Sequence, residues 1–91
     1  MPNVHFTTHL QRFFPTLQQG TTAEGQTVAE VIRWLEQQQP GLAVYIIDER
    51  GALRKHVNIF LNDELVTDRQ GLSDAVGQQT RVFIFQALSG G

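Results

Sequence analysis

The chain has 91 residues, 41% of them hydrophobic, with nine acidic against seven basic side chains and a formal charge of −2. That length fits one compact domain, and area scaling gives a folded surface of about 5,400 Å² against roughly 15,000 Å² unfolded, enough for one core and no second. The charge argues against a nucleic-acid or anionic-membrane surface, which needs a basic excess, and the lack of cysteine removes disulfides, thiolate nucleophiles and cysteine-based zinc sites.

Met1-Pro2-Asn3-Val4 lacks a charged segment followed by an apolar one, and no apolar run approaches membrane-spanning length, so a cytoplasmic location is expected. Val4 to Thr8 alternates Val4, Phe6 and Thr8 against His5 and Thr7, which predicts a strand. Gly20 marks a break, and Thr21 to Ala23 reads as a short returning strand, giving an opening hairpin with a long connection. Thr27-Val28-Ala29-Glu30 has the capping-box spacing, in which threonine hydroxyl and glutamate side chain satisfy each other's backbone N–H groups. Val28, Val31, Ile32 and Leu35 then fall at i, i+3, i+4 and i+7, predicting a helix over 28–38 that ends before Pro40-Gly41.

Leu42 to Ile47 is an unbroken apolar run whose period decides nothing; a buried strand and a short helix both fit. Asp48-Glu49-Arg50-Gly51 reads as a turn. Arg50, Arg54 and Lys55, near Asp48 and Glu49, read first as a solvated loop and second as a docking patch. His56 to Leu61 and Glu64 to Val66 flank Asn62-Asp63, residues that tolerate the left-handed angles of tight hairpins. After a polar segment carrying Gly71 and Gly77, Arg81 to Ala87 forms a last strand leading into residues 87–91. The order β-β-α-β-β-β predicts an α+β fold, a mixed sheet with one main helix across one face, as a single domain over 1–91.

Strand parity assigns the surfaces. Val57, Ile59, Leu61, Val82 and Ile84 should meet the helix, which leaves Phe60, Phe83 and Phe85 on the open face of the sheet as candidates for partner docking. The alternative is that the first hairpin or 42–47 covers them. His5 and His9 share one side of a strand about 13 Å apart, too far for one metal. Asp63 and Glu64 adjoin a turn, where paired acids more often solvate a loop than act as acid and base, and nothing gathers nucleophile, base and orienting group. No enzymatic activity is expected.

The most telling segment is Leu88-Ser89-Gly90-Gly91, whose terminal glycines bring no side chain near the carboxylate and suit threading into a narrow active site. Taken with the segment Arg54 to Glu64 and the run Val82 to Gly91, the chain resembles the MoaD/ThiS-type sulfur-carrier proteins of the ubiquitin-like β-grasp superfamily. Within it, His56 to Asp63 looks most like the branch that feeds cysteine and amino-acid biosynthesis. The resemblance implies that Gly91 is adenylated by a ubiquitin-activating-type adenylyltransferase using ATP and Mg²⁺, then converted to a thiocarboxylate, with Gly90, Ser89 and Leu88 as the thread of a flexible tail.

It also implies a sulfur-accepting synthase and a metalloprotease as partners, no nucleic acid, no membrane, and no cofactor or metal held by the chain itself. A ubiquitin-like protein modifier joined through Gly91, and the small subunit of molybdopterin synthase, are the alternatives. Two positions depart from the family pattern: alanine often stands where this chain has Ser89, and proline where it has Gln86.

Overall fold

The alternation and amphipathic spacing produce a five-stranded sheet crossed on one side by one long helix. The computed structural model describes residues 1–7, 11, 12, 14 and 20–86. Its elements are β1 (Asn3–Phe6), β2 (Thr21–Thr22), α1 (Val28–Gln38), a 3-10 turn (Ala43–Tyr45), β3 (Val57–Leu61), β4 (Glu64–Leu65) and β5 (Arg81–Gln86). The predicted order holds, with strands trimmed by a residue or two at their ends. His56, Val66 and Ala23 fall outside the ladders, while Asn3 joins one. Thr8 and Ala87, the predicted ends of the first and last strands, lie outside the described residues.

The sheet order is β2-β1-β5-β3-β4. β5 lies at its centre, parallel to β1 and antiparallel to β3, with Val4 opposite Val82 and Ile59 opposite Ile84. The β1–β2 and β3–β4 pairs are antiparallel. Gly20, at φ +80°, brings the chain back to β1; a Cβ there would stand 2.9 Å from the Val4 carbonyl oxygen, so only glycine fits without displacement. Asn62 takes φ 58°, the left-handed angle expected in the β3–β4 turn.

The predicted stripe of α1 is fully used: Val28, Val31, Ile32 and Leu35 are buried and pack with Val4, Phe6, Val57, Ile59, Val82 and Ile84 in one core cluster. Leu61, on the same side of β3, is half-buried against it. The total accessible surface is 5685 Å², close to the roughly 5,400 Å² that area scaling gives for a folded chain of this length.

The N–H groups of Val28, Ala29 and Glu30, which precede the first intrahelical bond of α1 from Val31, all find acceptors. Val28 and Ala29 donate to the carbonyls of Asp74 and Leu72, and Val31 to that of Thr27; Glu30 donates to Thr27 Oγ1 at 3.2 Å. The reciprocal half of the capping box is displaced: the Glu30 carboxylate accepts from Gln26 N–H at 2.9 Å, one residue before the expected Thr27. Thr27 itself bridges to Ala75, which ties the helix start to the strand-like segment before β5.

The undecided run 42–47 is helical, a single 3-10 turn whose flanking Leu42 and Ile46 are buried in the core. The carboxylate of Glu36 explains the choice. Its oxygens accept from Gly41 N–H at 2.9 Å and Ala43 N–H at 2.8 Å, which closes the reversal after Pro40 and caps the new turn. Asp48 does the same one loop later, accepting from Arg50 and Ala52. The run therefore packs on the helix side of the sheet, and β2 extends the sheet edge.

Candidate functional site

β5 carries two chemistries on alternate residues. Val82 and Ile84 have no solvent exposure, whereas Phe85 is 43% exposed and Phe83 half-buried. Because β3 and β5 pair with Phe60 opposite Phe83 and Asn58 opposite Phe85, Phe60 shares the open face. All three phenylalanines therefore stand where parity puts them. Their rings touch: Phe60 meets Phe85 edge-on at 5.7 Å between centroids, and Phe83 stacks on Phe85 at 6.2 Å. Each such pair adds about 0.5–1.5 kcal/mol beyond area burial, so the rings hold one another in place.

Two members of the face were not anticipated. His5 lies opposite Phe83 and stacks on it at 5.1 Å and 19°. Leu65, opposite Phe60, is 49% exposed. His5, Phe83, Phe60 and Leu65 thus form one row across four strands. Leu65 was legible from alternation with Val66, which is buried. His5 was not, because its place depends on β1 lying beside β5, a non-local pairing that no single strand encodes.

Near the C-terminal end of β5 the surface turns polar. Gln86 pairs with Val57, and its Oε1 is buried without a hydrogen-bond partner, a state that costs about 1–3 kcal/mol. Arg69 locks the same corner, its guanidinium donating to the carbonyls of Arg54 and Val57 and to Asn58 Oδ1 at 2.8–3.1 Å.

The loop that presents Arg69 is organised by two carboxylates. Asp68 accepts from the Ser73 hydroxyl at 2.6 Å and from the N–H groups of Gln70, Gly71 and Ser73, which hold its pKa at about 2. Asp74 accepts from Thr67 and from Asp68 N–H and is likewise lowered. Backbone donors from Gly41 and Ala43 lower Glu36, and those from Arg50 and Ala52, with the charges of Arg50 and Arg54, lower Asp48. These carboxylates therefore stay ionised as loop clamps and are poor proton shuttles at neutral pH.

Leu88, Ser89, Gly90 and Gly91 lie outside the described residues, as does His9. Asp63 and Glu64 are exposed at the β3–β4 turn. Among the described residues no group of three or more His, Asp or Glu is placed to hold a metal ion, and no helix is long and apolar enough to cross a membrane.

Known proteins share this architecture and sequence. The chain is 36% identical over 76 residues to the sulfur carrier protein CysO of Mycobacterium tuberculosis, a match covering 81% of this chain and 82% of that protein. It is 34% identical over 65 residues to the small archaeal modifier protein 3 of Haloferax volcanii, covering 71% and 70%. A chain in the crystal structure of the Amycolatopsis orientalis BexX/CysO complex matches its fold with a TM-score of 0.86 and 27% identity over the whole of both chains. The family model of the ThiS family matches residues 4–91, a span that takes in all of the sheet but Asn3, the helix and Gly90-Gly91. The chain belongs to the ThiS family.

Proposed function

We propose that this protein is a sulfur carrier, a substrate of other enzymes and not an enzyme itself, with Gly91 as the reacting residue. The observation that carries the reading is the family match running through Gly91, directly behind a strand bonded on both sides in the middle of the sheet. A central strand holds the root of the tail while leaving its reactive end five residues beyond Gln86.

A carboxylate is a poor electrophile at neutral pH, being anionic and resonance-stabilised. A ubiquitin-activating-type adenylyltransferase would use ATP and Mg²⁺ to join the Gly91 carboxylate to AMP, releasing pyrophosphate. Sulfide from a donor would then attack the acyl carbon and expel AMP, leaving a thiocarboxylate. Having no cysteine, the chain has no other sulfur nucleophile, and the terminal thiocarboxylate would pass its sulfur to an acceptor synthase. Similarity to CysO favours cysteine or another sulfur-containing metabolite as the product. Gly90, Ser89 and Leu88 would thread the partner's active site, while Phe60, Phe83 and Phe85, with His5 and Leu65, form the docking face. A cytoplasmic location accompanies this reading.

The test uses ATP labelled on its α-phosphate. With the cognate adenylating enzyme the chain should acquire label, and sulfide should discharge it as AMP; a chain that never takes up label contradicts the proposal. The similarity to the Haloferax volcanii modifier supports a second reading, in which a lysine amine captures the activated Gly91 as an isopeptide. Gly-Gly remnants on lysines of other cellular proteins after digestion would be its signature, and their absence would exclude it.

A further inference from the structure

A chain whose carboxyl end is activated is an acyl donor, and its own nucleophiles travel with it. This chain is almost empty of them. It has no cysteine, and six of its seven basic side chains are arginines, which leaves Lys55 as its single lysine. A guanidinium stays protonated at neutral pH and does not act as an amine nucleophile, and hydroxyls are weak nucleophiles without a base beside them. Lys55 is exposed, and among the described residues its ammonium has no hydrogen-bond or ion-pair partner.

Strand register places that lysine at the root of the tail. It stands two residues before Val57, which lies opposite Gln86 in the β3–β5 ladder. Paired Cα atoms are about 5 Å apart and two residues of chain span at most about 7 Å, so Lys55 lies within roughly 13 Å of Gln86. The residues from Ala87 to Gly91 span up to about 17 Å, before the length of the lysine side chain is added. The amine at Met1 is placed differently. β1 runs parallel to β5 with Asn3 opposite Arg81, so Met1 lies past the far end of β5, beyond the roughly 17 Å that the strand steps from Arg81 to Gln86 cover.

The geometry points to Lys55 as the acceptor of the chain's own activated Gly91, in an internal isopeptide that closes the tail onto the turn before β3 when sulfide does not arrive. The inference rests on the reading of Gly91 as an adenylation substrate. Once the adenylated tail leaves the enzyme's cleft, the unprotonated Lys55 Nζ attacks the acyl carbon of Gly91. The C–N bond forms, the bond from the acyl carbon to the phosphate oxygen breaks, AMP leaves with the electron pair, and the amine proton passes to water. A tether this short sets the effective concentration of the amine at about the millimolar level, which favours Lys55 of the same chain over that of a second, more dilute copy. The closed chain has no carboxylate left to activate, so it drops out of the carrier pool. Sulfide in excess over the tethered amine diverts the adenylate to the thiocarboxylate.

The experiment incubates the full-length chain with the cognate adenylating enzyme and ATP, without sulfide, and reads intact mass and a peptide map. Wild type should yield a species lighter by one water, with a peptide joining Lys55 to Gly91, and excess sulfide should suppress it. Lys55→Arg, which keeps the charge, should support the same ATP–pyrophosphate exchange and lose the lighter species entirely. Exchange without a lighter wild-type species, its persistence in Lys55→Arg, or two chains joined in place of one closed would overturn the closure alone. No exchange with wild type would overturn the adenylation reading and the closure with it.

Discussion

The two faces of β5 differ in what their apolar residues are for. Val82 and Ile84 meet the stripe of α1 and are fully buried. Phe83 and Phe85, interleaved with them, meet each other, Phe60 and His5, and remain partly open to solvent. Hydrophobicity alone does not separate the sets; parity does. The helix-side face holds the domain together, and the open face leaves apolar area in contact with solvent, which is the ground for proposing it as the docking face.

The sharpest way to break that contrast is to truncate the buried side. Ile84→Ala should lower stability by about 2–5 kcal/mol, read as a shift of the urea midpoint at constant m-value; a loss below 1 kcal/mol would mean that the helix-side face is not the core. On the open side, Phe85→Ala should weaken binding to the adenylating enzyme by about 2 kcal/mol, roughly thirtyfold, while losing less than half as much stability as Ile84→Ala. Calorimetric titration and the same urea melt decide, and an unfolded variant or an unchanged affinity would show that Phe85 is structural or idle.

A smaller effect is expected at the helix start, where Thr27→Ala removes the acceptor of Glu30 N–H and should cost about 1 kcal/mol, recovered by Thr27→Ser. The smallest concerns the loop that presents Arg69. Because Asp68 titrates at about 2 when folded against an ordinary 3.8, its stabilisation is fully present above pH 3.8 and is lost as pH falls toward 2. Asp68→Asn should lower Tm at neutral pH and reduce its fall across that window; identical slopes for both chains would show that the clamp carries no linkage.

Elements set by local periodicity were legible in the sequence. Thr27, the 28-31-32-35 spacing and Pro40-Gly41 bound α1, and Asn62-Asp63 located the second hairpin. Residues whose state depends on distant partners were not. Leu42 to Ile47 has no period of its own, and its helical turn is capped by Glu36, seven residues before Ala43. Glu30 accepts from Gln26 N–H, not from the Thr27 N–H that the capping-box spacing suggests, in a segment whose Gln26 and Val28 bond to Val76 and Asp74, far along the chain. In the same way Phe60, Phe83 and Phe85 followed from parity, while His5 needed the β1–β5 pairing. Gly91, which the ThiS family model spans, lies outside the described residues, and its chemistry is the proposal above.

The most direct measurement is the intact mass of the full-length chain, and of a chain lacking Gly91, after incubation with the cognate adenylating enzyme, ATP and sulfide. The account predicts one oxygen replaced by sulfur at the carboxyl end of the full-length chain and no change in the truncated one. A full-length chain of unaltered mass, or a truncated chain that gains sulfur equally, would contradict it.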